Sequence, residues 1–100
     1  MSEKEVQAEC KAIYKAVGCI VYNTSQPRKA KHLTRGIPDL WIFCPARGAG
    51  WWHEVKDKAK MRPEQLTFQQ YCGECNVGHV AGGVKEAKAH LWKIGVRLAA

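Results

Sequence analysis

Two short segments on either side of a glycine-rich turn constrain this chain more than anything else in it. Gly36-Ile37-Pro38-Asp39 leads into an apolar run ending at Cys44. After Pro45 and the turn residues Arg47-Gly48-Ala49-Gly50, a second run closes on Glu54-Val55-Lys56. β-rich runs punctuated by Pro and Gly read as a hairpin, with strands from Asp39 to Cys44 and from Trp51 to Lys56. Pro38 fixes the chain extended just before the first strand. Residues two apart on a strand share a face, so Glu54 and Lys56 point one way and Val55 the other. With the turn centred near Arg47 and Gly48, Asp39 is expected roughly opposite Lys56, and Trp41 roughly opposite Glu54. Cross-strand neighbours lie about 5 Å apart, close enough for two carboxylates to share a divalent cation. Three charges on one face of a short hairpin cost stability unless something compensates them, and a metal with a phosphate would do so.

The rest of the chain supplies elements to cover such a hairpin. Val6, Cys10, Ile13, Tyr14 and Val17 recur at helical spacing, so residues 3 to about 17 read as a helix, capped by Ser2 and ended at Gly18. Cys19 to Tyr22 is a short strand. Residues 23–36 hold Asn, Ser, Pro and basic positions without apolar period, a loop longer than a small domain keeps without a purpose. Pro63 opens a helix through about residue 74. Gly78 to Gly82 is a strand, and Val84 to Ile94 a final helix with Ala87, Leu91 and Ile94 inward. The order is αβββαβα, an α/β class with a mixed sheet flanked by helices. One hundred residues fit a single domain spanning 1–100.

A hydrophobic share of 46% and a charged share of 25% are ordinary for a globular protein, but a net charge of +7 at this length is not. It favours a polyanionic partner, with Arg28, Lys29, Lys31, His32 and Arg35 clustered in the long loop. The competing reading of that cluster is a solvated loop. No apolar run approaches a membrane span and no signal-peptide pattern opens the chain, so a cytoplasmic, reducing location without membrane contact is expected. The cysteine count of five is odd and several sit in apolar patterns, so no disulfide is expected. Cys72 and Cys75 with His79 and His90 suggest zinc. A structural site needs four ligands at fixed geometry, however, and only one Cys-x-x-Cys pair is present, so no zinc is expected. Adjacent Trp51 and Trp52 face opposite sides of their strand. One of them belongs in a core and the other is expected at an interface, which favours a homodimer, or on unpaired bases. His53 points away from Glu54 and reads as a satisfied structural residue.

Gly36-Ile37-Pro38-Asp39, Glu54-Val55-Lys56, and Pro63-Glu64-Gln65 at a helix start together resemble the PD-(D/E)XK nuclease superfamily. More closely they resemble its virus-type replication–repair nuclease (VRR-NUC) domain. The resemblance runs from Glu5-Val6-Gln7 in the first helix to Ala87 in the last. It implies a restriction-endonuclease-like fold and a metal-dependent endodeoxyribonuclease acting on branched DNA, junctions or flaps, in replication, repair or recombination, similar to dimeric Holliday junction resolvases. Carried over by position, it makes Asp39 and Glu54 ligands of Mg²⁺ or Mn²⁺, with the backbone carbonyl of Val55 beside them. Lys56 would orient the attacking water or stabilise charge on the phosphate. Gln65 would reach the active centre. Glu5 would be the first-helix acid, with Glu9, one turn on, as the alternative.

The chemistry of these residues agrees with that implication. Phosphodiester hydrolysis needs a Lewis acid, a nucleophilic water and neutralisation of developing charge. Lys58, Lys60 and Arg62 follow the carboxylate-bearing strand directly, where they would touch phosphates along with Arg28, Lys29, Lys31 and Arg35. The rival reading is a non-catalytic nucleic-acid-binding module of the same fold. The plainest alternative for Glu54 and Lys56 is a surface ion pair, which is worth little energetically.

Overall fold

In the computed structural model, which describes residues 1–24 and 35–98, four strands form one sheet in the order β1-β2-β3-β4. The elements in chain order are α1 (Glu3–Ala16), β1 (Ile20–Asn23), β2 (Leu40–Cys44), β3 (Ala49–Val55), α2 (Pro63–Glu74), β4 (Gly78–Gly82) and α3 (Val84–Lys93). The αβββαβα order expected from the sequence is the one observed, with boundaries shifted by one or two residues. β1, β2 and β3 run antiparallel, and β4 returns parallel to β3 after the α2 crossover.

Helices α1 and α3 pack together on one side of the sheet. Val6, Cys10 and Tyr14 recur at three- and four-residue spacing, the stripe a helix must bury. They meet Leu40, Ile42, Trp51 and Val55 from the sheet and Ala87 and Leu91 from α3. Trp51 is the largest fully buried side chain, edge-on to Tyr14 at 5.7 Å between ring centroids and 4.5 Å from the His90 ring. The alternation expected at Trp51 and Trp52 holds. Trp52 lies on the other face, 4.9 Å from Trp41 and 5.4 Å from Phe68 of α2. It is thus half covered by its own chain, while the strongly exposed tryptophan is Trp92, at 64%, stacked under Arg97. All five cysteines are free thiols, and four of them are buried. No helix of the described residues is long and apolar enough to cross a membrane.

The hairpin register differs from the sequence expectation. Leu40 pairs with His53 and Trp41 with Trp52, and the ladder closes at Cys44 and Ala49. A 3-10 turn over Pro45–Arg47, with Gly48 N–H bonded to the Pro45 carbonyl at 3.2 Å, moves the turn one residue earlier than expected. The next pair beyond Leu40–His53 therefore sets Asp39 against Glu54, not against Lys56. Trp41 accordingly does not oppose Glu54.

Candidate active site

Asp39 sits where the chain turns into β2, and three local features hold it there. Pro38 is buried, Thr24 N–H donates to the Asp39 carbonyl at 2.8 Å, and the Thr24 hydroxyl donates to the Pro38 carbonyl. Upstream, a side chain at Gly36 would strike the Glu64 backbone carbonyl at 2.5 Å, and its φ of +96° suits glycine. Only a glycine lets this segment press against the start of α2. The Asp39 carboxylate reaches across to β3, where Oδ2 accepts from Val55 N–H at 2.9 Å.

Glu54 is only 2% exposed, and its Oε1 is shut off from solvent with no hydrogen-bond partner. Burial first, and then the hydrogen bond and charge of Asp39, push its carboxyl up to about 8. Lys56 opposes this weakly, and the charge of Glu3 adds to the rise. A buried acid facing a second acid is the reverse of a surface ion pair. Among the described residues no salt bridge joins Glu54 to Lys56. Two carboxylates crowded into a dry corner repel each other unless they share a proton or a cation.

The structure brings Asp39, Glu54 and the Val55 backbone together and leaves other expected members apart. Glu5 is exposed and spent on a capping box with Ser2, through bonds of 3.0–3.3 Å. Glu9 lines a separate cavity of about 390 Å³ with Lys56, Asp57, Lys58 and Glu86. Among the described residues no group of three His, Cys, Asp or Glu side chains forms a metal-holding cluster, so neither Glu5 nor Glu9 joins the pair. The helix acid whose charge reaches Glu54 is Glu3, which the sequence reading passed over. The signal was present: Glu3, itself exposed at the start of α1, precedes Val6 by three and Cys10 by seven and so shares the helix face that faces the sheet, a spacing Glu5 lacks. Gln65 is buried at the start of α2, and its Oε1 accepts from Arg62 N–H at 2.8 Å, which makes it a helix cap.

Lys56 is half-buried, while Arg35, Lys58, Lys60 and Arg62 are exposed around the two carboxylates' end of the sheet. Arg28, Lys29 and Lys31 lie outside the described residues. Lys58 stands at φ 132°, a region that costs a side-chain-bearing residue roughly 1–3 kcal/mol. Lys58→Gly is therefore expected to raise stability by about 1 kcal/mol, after the greater freedom of glycine in the unfolded chain is counted. Denaturant titration measures this, and an unchanged or lower midpoint contradicts it.

No family model and no curated protein matches this sequence. Among solved structures, one described as a VRR_NUC domain superposes with a TM-score of 0.70 at 29% sequence identity, over 91% of this chain and 94% of that one. The match supports a VRR-NUC domain in this chain. Its mixed four-stranded sheet with flanking helices is the restriction-endonuclease-like fold of that family. The VRR-NUC architecture is a nuclease-type one. In this chain the buried acid pair lies where β2 begins and β3 ends, flanked by the described loop that carries Lys58, Lys60 and Arg62.

Proposed function

We propose that this chain is a Mg²⁺- or Mn²⁺-dependent endodeoxyribonuclease that hydrolyses phosphodiester bonds in branched DNA. The observation that carries the reading is the Asp39–Glu54 pair: a buried acid with an orphaned oxygen against a second, firmly placed carboxylate. Such a corner fits a hard divalent cation, which takes carboxylate oxygens and keeps several of its own waters. Asp39 and Glu54 would hold it, with the Val55 carbonyl nearby. When bound, the cation would supply Lewis acidity toward the phosphate and a water of lowered pKa.

The chain's own residues supply the remaining functions. Val55 N–H keeps Asp39 oriented, so its carboxylate is in place before substrate arrives. The Lys56 ammonium follows Glu54 by two residues, just past the end of β3, and would meet negative charge developing on the phosphate. Arg35, Lys58, Lys60 and Arg62 are exposed cations that would grip flanking phosphates. Such contacts fix position without reading sequence, in keeping with recognition of DNA shape. Ile20, Tyr22 and Phe43 leave an apolar patch exposed on the α2 side of the sheet, and we assign it to a second copy of the chain. A two-fold pair of sites would suit paired incisions at a junction.

Incubation of the purified protein with labelled junction, flap and duplex DNA tests the activity, with Mn²⁺ and with chelator. Metal-dependent cleavage of the branched forms is expected, falling by about 10³-fold or more in Asp39→Ala. Salt-sensitive binding without hydrolysis would point instead to a binding module, and undiminished cleavage by Asp39→Ala would exclude this site. Sedimentation of the free protein reads the dimer, and a monomer at micromolar concentration removes that assignment.

A further inference from the structure

His53 stands beside Glu54 in β3 yet turns its ring to the opposite side of the sheet, into the α1–α3 core, at 0% exposure. Both ring nitrogens are engaged. Nε2 lies 2.9 Å from the Gly82 carbonyl oxygen, and Nδ1 lies 2.7 Å from the Tyr14 hydroxyl. A carbonyl only accepts, so Nε2 carries the proton, and Nδ1 of the neutral ring accepts a hydrogen bond from the Tyr14 hydroxyl. The Tyr14 oxygen in turn accepts from Trp51 Nε1 at 3.4 Å. Donors and acceptors thus have one consistent assignment, from Trp51 to Tyr14 to His53 to Gly82. Burial holds the His53 pKa down, in keeping with a neutral ring.

The end of this chain of bonds is what gives it a role. The Gly82 carbonyl also accepts from Lys56 N–H at 3.0 Å, immediately beyond the last paired residues Val55 and Gly82. That bond is the last tie between β3 and β4 before the chain leaves the sheet. Gly82 has φ +134°, which suits only glycine, and the Glu86 carboxylate accepts from the following Gly83 N–H at 2.8 Å. Burying a phenol and an imidazole in an apolar core brings little net stability over apolar side chains of the same shape, even when both are bonded. What the arrangement secures is the place of one carbonyl.

We infer that His53 is a positioning residue: by clamping the Gly82 carbonyl that holds Lys56 N–H, it fixes where the Lys56 ammonium stands relative to Glu54 and Asp39. The inference rests on the reading of Lys56 as the cation that faces the phosphate. His53 touches neither substrate nor metal in this role, and its effect passes through the backbone.

Three variants test it: His53→Leu fills the core without hydrogen bonds, His53→Gln offers a replacement N–H donor, and Tyr14→Phe removes only the hydroxyl. In His53→Leu, kcat for branched DNA is expected to fall about 10- to 100-fold with KM nearly unchanged, the signature of a misplaced group. Amide hydrogen exchange at Lys56 should quicken about tenfold while the Ile42 and Trp51 amides stay protected. His53→Gln should recover most of both, and Tyr14→Phe should show a smaller change in the same direction. Wild-type exchange at Lys56 in the Leu and Phe variants overturns the inference, as does unchanged kcat in an active enzyme. Should His53→Leu fail to fold, the Tyr14→Phe comparison decides alone. Exchange is read without DNA or metal, so a wild type that cleaves nothing would sink the nuclease reading and leave this one to the Lys56 amide.

Discussion

Glu54→Gln is expected to destroy cleavage while making the metal-free protein more stable at alkaline pH. Glutamine has the shape of a protonated glutamic acid and its amide can donate to Asp39, but it cannot ionise to hold a cation. Loss of about 10³-fold in rate is the scale for removing a group that stabilises charge in the transition state. The stability effect follows from linkage. The folded carboxyl titrates at about 8 against an ordinary value of 4.5, so between those values the folded chain holds a proton that the unfolded chain has released. Stability of the metal-free wild type therefore falls as pH rises from about 4.5 to 8, by roughly 1.4 kcal/mol per unit at most and a few kcal/mol in all. The Gln variant lacks this slope. Thermal unfolding at pH 5, 7 and 9 with chelator should show the two proteins converging at pH 5 and the variant ahead at pH 9. Parallel profiles would mean that Glu54 is not the strained acid of the site. Added Mn²⁺ should stabilise the wild type more at pH 8 than at pH 6, since the acid must lose its proton to bind, and should leave the variant nearly unmoved.

That an acid is buried here was only half legible in the sequence. The two-residue period of a strand set Glu54 apart from Val55 and His53, and the coordinates agree, with Val55 and His53 buried on the core side; Lys56 lies one residue past the end of β3, where that period no longer applies. Register is a finer quantity, because it depends on how many residues the turn consumes. Pro45-Ala46-Arg47 wind into a 3-10 turn, and that one-residue difference set Asp39 against Glu54. The first-helix acid shows the same limit. The motif resemblance pointed to Glu5, but Ser2 placed three residues earlier makes Glu5 the capping partner, and the helix charge that reaches Glu54 is that of the exposed Glu3. The His53–Gly82 bond spans 29 residues of sequence and depends on the parallel pairing of β3 with β4, which no local pattern discloses. α2 was placed by Pro63 rather than by periodicity: only Gln65 and Cys72 are buried along it, so it carries no apolar stripe to read.

The adjacent tryptophans give the sharpest contrast in stability. Trp51→Ala should cost about 3–5 kcal/mol, the usual range for emptying a large aromatic from a core. That is a large fraction of the roughly 5–15 kcal/mol that holds a domain together. The reason lies in its surroundings: Trp51 is wholly buried between Tyr14 and His90, and its Nε1–H donates to the Tyr14 hydroxyl. Removing it opens a cavity at the junction of α1, α3 and the sheet and takes away one end of the Tyr14–His53 chain. Trp52→Ala should cost about 1–2 kcal/mol, because Trp52 is only half-buried, against Trp41 and Phe68, and Phe68 can settle inward over the gap. Urea unfolding of both variants measures the difference. Equal losses would mean that the two faces of β3 are equally sealed. In a domain that carries a helix on its second face but leaves Ile20, Tyr22 and Phe43 bare, that result would require a partner chain closing the Trp52 side in solution.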